Sequence, residues 1–139
     1  MTTSTPTTIE PLYVVDTHAL IWYLLGDKNL SQRALALFRA AERGETRLIL
    51  PVIVLAELYF ANEKFKWFAN FRAVYEDILS RRFFRFLPFD HHHILDFERD
   101  SNVLEMHDRI IIGVAQRLRA PLITSDALIA RANIVRIEW

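Results

Sequence analysis

The chain has 139 residues, 52% of them apolar, with 17 basic residues balancing 17 acidic ones and no cysteine. That length and composition suit a folded unit with one core, and the neutral balance removes any general attraction to nucleic acid, so such a partner would be met by local basic patches. Without cysteine there are no disulfides and no thiolate metal sites, and any metal must be held by oxygen or histidine ligands.

In chain order, "MTTSTPTTIE" (1–10) is rich in Thr and Ser and lacks periodic apolar positions, so a mobile leader is expected there, with 11–139 as a single domain. No apolar run approaches bilayer length and no N-terminal stretch reads as a secretory signal; the expectation is a cytoplasmic protein with no membrane partner. "LYVV" reads as a buried strand and "THALIWYLLGD" as a helix ending near Gly26. "LSQRALALFRAAERGE" has Ser31 placed as an N-cap, apolar positions at 34, 35, 37, 38 and 41, and Gly44 as a stop, which predicts a second helix.

A strand at 47–50 is interrupted by Pro51, after which "VIVLAELYFANEK" reads as a helix carrying Glu57 among apolar neighbours. The spacing through "FKWFANFRAVYEDILSRR" (65–82) predicts an amphipathic helix. "FFRFLPFD" returns to a strand, Asp90 is placed to cap a helix over "HHHILDFERDSN", and "MHDRIIIGVAQRLRA" is a strongly periodic helix. "PLIT" and "IVRIEW" are strands joined by a short helix at about 127–132. Strands alternating with helices predict an α/β fold built on βαβ units, with a mostly parallel sheet covered on both faces.

In such a sheet a ligand crevice lies outside the carboxyl ends of the strands. Asp16 ends the run "YVVD" and Asp126 follows "APLITS", so both sit at such ends; Asp108 lies in the first turn of its helix and Glu57 in the first half of another. Four carboxylates facing one partly desolvated pocket would repel one another and raise their pKa values unless a cation neutralised them, and hard ions such as Mg²⁺ or Mn²⁺ prefer oxygen ligands. Each acid also has a purely structural use. Asp16, Asp108 and Asp126 suit helix N-termini, where the dipole favours a carboxylate. Glu57 fits that account least, since Val54, Leu55, Leu58, Tyr59 and Phe60 leave it little solvated face and a buried Glu is rare unless paired.

The segments "VVDTHALIWYLLGD", "PVIVLAELYFANEK", "MHDRIIIGVAQRLRAPLITSD" and "ALIARANIVRIEW" resemble the PIN domain family and, within it, the VapC-type toxins of toxin–antitoxin pairs. The resemblance implies a three-layer α/β/α fold with a mostly parallel central sheet, and it assigns Asp16, Glu57, Asp108 and Asp126 to the family's acidic, metal-binding quartet. Thr17 and Thr124 match small hydroxyl positions beside it, where a cap or a backbone-ordering role is equally open. It further implies a Mg²⁺- or Mn²⁺-dependent ribonuclease, held inactive by a cognate antitoxin and commonly paired as a homodimer. Glu57 could ligate the ion, bind a second one or orient the attacking water. Two other readings stay open: a PIN nuclease of RNA processing without an antitoxin, and a non-catalytic binding protein of the same fold.

His91, His92 and His93 are consecutive, so they are not expected to reach one ion together, and His18 and His107 adjoin the proposed acids. Arg72, Arg81, Arg82 and Arg85 suit phosphates or simply a solvated face. The aromatic group Tyr59, Phe60, Phe65, Trp67, Phe68, Phe71 and Tyr75 is expected to divide between the core and an exposed apolar groove able to receive an amphipathic helix of a partner, which the resemblance identifies as the antitoxin.

Overall fold

The computed structural model of the protein describes residues 11–139; the leader expected over 1–10 lies outside the described residues. Strand β1 (Leu12–Val15) leads through Asp16 into helix α1 (Thr17–Leu25), which stops where Gly26 turns left-handed at φ 64°. Helix α2 (Gln32–Glu42) starts at Ser31, whose hydroxyl accepts the Ala34 N–H. Strand β2 (Arg47–Pro51) runs directly into α3 (Val52–Phe65), with Pro51 at the junction where a missing N–H costs nothing. Then follow α4 (Phe71–Ser80), β3 (Phe84–Leu87), a 3₁₀ turn (His91–Leu95), α5 (Asp96–Arg99), α6 (Met106–Leu118), β4 (Leu122–Ile123), α7 (Ala127–Ala132) and β5 (Ile137–Glu138).

The five strands form one sheet in the order β3-β2-β1-β4-β5, and every pairing in it is parallel. The three-layer α/β/α arrangement expected from alternating strands and helices is therefore the one adopted. Val14 and Val15 in β1, Leu48 and Leu50 in β2, and Leu122 and Ile123 in β4 are all fully buried. Such unbroken apolar strands are what a parallel sheet covered on both faces requires. The chain leaves β1 toward β2 on one side and reaches β4 on the other, which makes the β1/β4 boundary the switch point of the topology. Among the described residues no helix is long and apolar enough to cross a membrane.

Two helices differ from the expectation. The amphipathic spacing over 65–82 becomes a helix only from Phe71. Lys66 takes a left-handed conformation at φ 55°, and the buried Asn62 side chain then accepts the Phe68 N–H at 2.8 Å and donates to the Phe68 carbonyl at 3.0 Å. That clasp folds 66–70 into a loop, and Asn70 restarts the helix by accepting the Ala73 N–H. The second difference concerns 91–102, where a 3₁₀ turn and a single turn of α-helix replace one continuous helix. Asp90 caps that turn and its own N–H donates to His93 Nδ1 at 2.8 Å, a reciprocal pairing over three residues that suits the tighter helix.

Candidate active site

Each functional side chain owes its place to the end of an element. Asp16 emerges where β1 becomes α1 and is buried, its Oδ1 accepting the Thr17 N–H at 2.7 Å and its Oδ2 the Thr124 hydroxyl at 2.5 Å. Thr124, just past β4, in turn accepts the Asp126 N–H at 3.0 Å, so one hydroxyl ties the ends of the two strands at the switch point. Asp126 Oδ1 accepts the N–H groups of Leu128 and Ile129 at 2.8 and 3.2 Å, capping α7. The capping use expected for Asp126 is thus present, and it engages only one of the two carboxylate oxygens.

From the other side of the cleft, α3 brings Glu57, whose Oε1 accepts the Thr17 hydroxyl at 2.7 Å. Its side chain is 31% exposed, which corrects the expectation of a largely buried glutamate. Val54 and Leu58 turn into the core and Tyr59 and Phe60 outward, Phe60 being 70% exposed, so none of these four closes over the carboxylate. The start of α6 supplies Asp108 together with Glu105, the residue that caps it by accepting the Asp108 N–H at 2.8 Å. His107 Nδ1 lies 2.6 Å from Glu105 Oε1 and 3.9 Å from Glu57 Oε2.

All four expected acids line one cleft of about 270 Å³, and Glu105 joins them; His18 and Thr17 complete its polar wall, while no lysine or arginine does. The electrostatic consequence is plain in the carboxyl groups. Burial, then the negative charges of Asp126, Asp16, Glu105 and Glu57, pushes Asp108 up to about 7. Burial also raises Asp16, against the hydrogen bonds from Thr124 and Thr17, and raises Glu57, against the Thr17 hydroxyl and the nearby His107. Glu105 alone moves down: burial opposes ionisation, yet the backbone N–H groups of Asp108 and His107 and the His107 ring outweigh it. A ring of oxygen donors with uncompensated negative charge fits a hard divalent cation by its chemistry. The carboxylates stand around the cleft rather than packed together. Among the described residues, only Asp90, His91 and His92 bring three ligand atoms within 4.8 Å of one another, and all three are exposed.

The structure therefore gathers Asp16, Glu57, Asp108 and Asp126, with Thr17 and Thr124 bonded to two of them. The three consecutive histidines do not share one cluster of ligand atoms: His91 and His92 group with Asp90, whereas His93 is buried with its Nδ1 accepting the Asp90 N–H. Glu105 is the cleft residue that sequence reasoning missed; its signal was the N-cap spacing three residues before Asp108 in "EMHD". Arg81 is held by Asp77 and the Tyr23 hydroxyl, away from the cleft. The aromatic group divides as expected: Trp67, Phe68 and Phe71 pack on the core, and Tyr59, Phe60, Phe65 and Tyr75 are exposed.

The family model for the PIN domain matches residues 13–135. Solved structures with the same fold include VapBC2 from Rickettsia felis bound to a DNA fragment from its promoter, at 18% identity and a TM-score of 0.68, covering 92% of this chain and 98% of that one. DNA-bound VapBC from Salmonella typhimurium follows at 22% identity and 0.67, covering 92% and 97%. A toxin–antitoxin complex from Klebsiella pneumoniae matches at 19% identity and 0.57, covering 82% and 86%. Comparison with curated proteins returns no match.

Proposed function

The chain belongs to the PIN domain family, and from that membership we propose that it is a Mg²⁺- or Mn²⁺-dependent endoribonuclease acting as the toxin of a toxin–antitoxin pair in the cytoplasm. The observation that carries the reading is the convergence of Asp16, Glu57, Asp108 and Asp126, from four separate elements, on one cleft without a lysine or arginine. Asp16, Asp108 and Asp126 would hold the ion. When bound, it would supply Lewis-acid polarisation of a phosphoryl oxygen and make water more acidic. Thr124 fixes Asp16 and, through its own oxygen, the start of α7, so that the two strand-end carboxylates keep a set separation. Thr17 holds Glu57 by Oε1 and leaves Oε2 to orient the attacking water and accept its proton. Water adds at phosphorus, the bond to the 3′ oxygen breaks, and the products carry a 5′-phosphate and a 3′-hydroxyl with no part for the RNA 2′-hydroxyl.

An antitoxin partner is supported by the VapBC neighbours and by the exposed Tyr59, Phe60, Phe65 and Tyr75, an apolar surface suited to an amphipathic helix. Pairing of two copies as a homodimer belongs to the same reading. The test is to incubate purified protein with a mixed RNA pool, with and without Mg²⁺ or Mn²⁺, and to map the product ends. The expected result is metal-dependent cleavage leaving 5′-phosphates, reduced on the order of a hundredfold in Asp16→Asn. Cleavage that persists in chelator, or that leaves 2′,3′-cyclic phosphates, would exclude the mechanism.

A further inference from the structure

Beside the acidic cleft lies a second cleft of about 410 Å³, walled by Val103, Leu104, Leu128 and Ala132, with Asn102 and Arg131 on its polar side. The two clefts share Glu105 and Asp108, so whatever occupies one borders the other. Leu104 is 89% exposed and Leu128 is 69% exposed, although both flank ordered helix starts. Arg131, in the last turn of α7, is exposed and engages no carboxylate among the described residues.

Resting on the nuclease reading above, we propose that this apolar cleft is a nucleobase subsite. It takes the base of a nucleotide adjoining the cut bond, and Arg131 meets that nucleotide's phosphate. An unpaired RNA base offers a flat apolar face and a polar edge, and sites that bind one commonly combine apolar contact, an amide for the edge and a guanidinium for stacking or phosphate. Leucines, Asn102 and Arg131 supply those three elements side by side. Charge fixes the polarity: Glu105, on the shared wall and outside the ion-holding set, repels a second phosphate there, so the nucleotide's phosphate belongs at the Arg131 end and its base between. A protein partner is the less fitting occupant, because cores of protein interfaces are depleted of charge and these leucines are hemmed by two acids and an arginine.

The experiment uses Leu104→Ser, Leu128→Ser and Arg131→Gln, all at exposed positions outside the catalytic set, with cut sites in a mixed RNA pool read by sequencing. Wild-type cuts should share a base preference at one position near the break. Each leucine variant should flatten it and raise KM about fivefold or more, with kcat within about twofold, and Arg131→Gln should raise KM and lessen its salt dependence. In parallel, four labelled oligonucleotides differing in one base are titrated against wild type and Leu104→Ser in chelator, with binding followed by fluorescence anisotropy. If wild type cuts no RNA, the nuclease reading fails, and this binding arm still decides the subsite. An unchanged cut profile and unchanged base-dependent binding in all three variants would overturn the proposal. So would a change of oligomeric mass on light scattering with base preference intact, which would make the patch a protein interface.

Discussion

Asp108 answers first to its burial at the start of α6 and then to the negative charges of Asp126, Asp16, Glu105 and Glu57. Its folded pKa of about 7 stands against about 3.9 in an unfolded chain. The folded carboxyl therefore binds a proton more readily, and the sign follows. Below about pH 3.9 the group is neutral in both states, between there and 7 stability falls as pH rises, and above 7 the full penalty applies. Three units correspond to about 4 kcal/mol at full burial, which solvent screening of this half-exposed group reduces to about 1 kcal/mol. Asp108→Asn in metal-free protein should accordingly raise Tm by about 3–5 °C at pH 8 and change it little at pH 4. An equal gain at both pH values, in thermal melts with chelator present, would mean that ionising Asp108 against burial and its neighbours' charge is not what strains the apo cleft. Asp16 and Asp126 are legible in the sequence because each ends an apolar strand, a place where an acid asks for a reason. Glu105 is not, because it follows a loop, and an N-cap glutamate carries no mark that its helix begins at a cleft.

Helices α3 to α6 show why element boundaries are harder to read than element types. Amphipathic spacing runs unbroken through 65–82, but spacing cannot see a side chain that turns back on its own loop, as Asn62 does to Phe68. Asn62→Ala removes both bonds and leaves the part-buried Phe68 carbonyl and N–H without their partner, which should cost about 1–3 kcal/mol. Urea denaturation checks this, and a loss below about 0.5 kcal/mol would mean that the loop is held by its aromatic contacts instead. Gly113 in α6 is a case where local propensity points the wrong way. Alanine is the better helix former by about 1 kcal/mol, yet a Cβ at 113 would stand 2.9 Å from Asp96 Oδ2 and 3.3 Å from Asp96 Cβ. Asp96 is buried and holds Arg117 with two bonds at 2.7 and 3.1 Å, so it cannot step aside without breaking that pair. Gly113→Ala should destabilise by about 1–3 kcal/mol in the same assay. A gain in stability would show that α5 yields freely.

At the scale of the molecule, the parallel sheet is what turns four scattered acids into a group. The alternation of short strands and helices was sufficient to expect a parallel sheet, and with it a crevice at the strand ends. What it could not supply was the strand order, which places β1 beside β4 and so brings Asp16 next to Thr124 across 108 residues of chain. The PIN family match then gives that arrangement a chemistry to be tested. The account stands or falls on whether these carboxylates bind a divalent cation together. Asparagine is as good a helix cap as aspartate but lacks the charge a cation needs, so Asp126→Asn separates capping from metal binding without disturbing α7. The measurement is a calorimetric titration of Mn²⁺ into wild type, Asp16→Asn, Asp108→Asn and Asp126→Asn. The predicted result is saturable binding to wild type that weakens about tenfold or more in each variant; equal affinity across all four proteins would contradict a shared metal site.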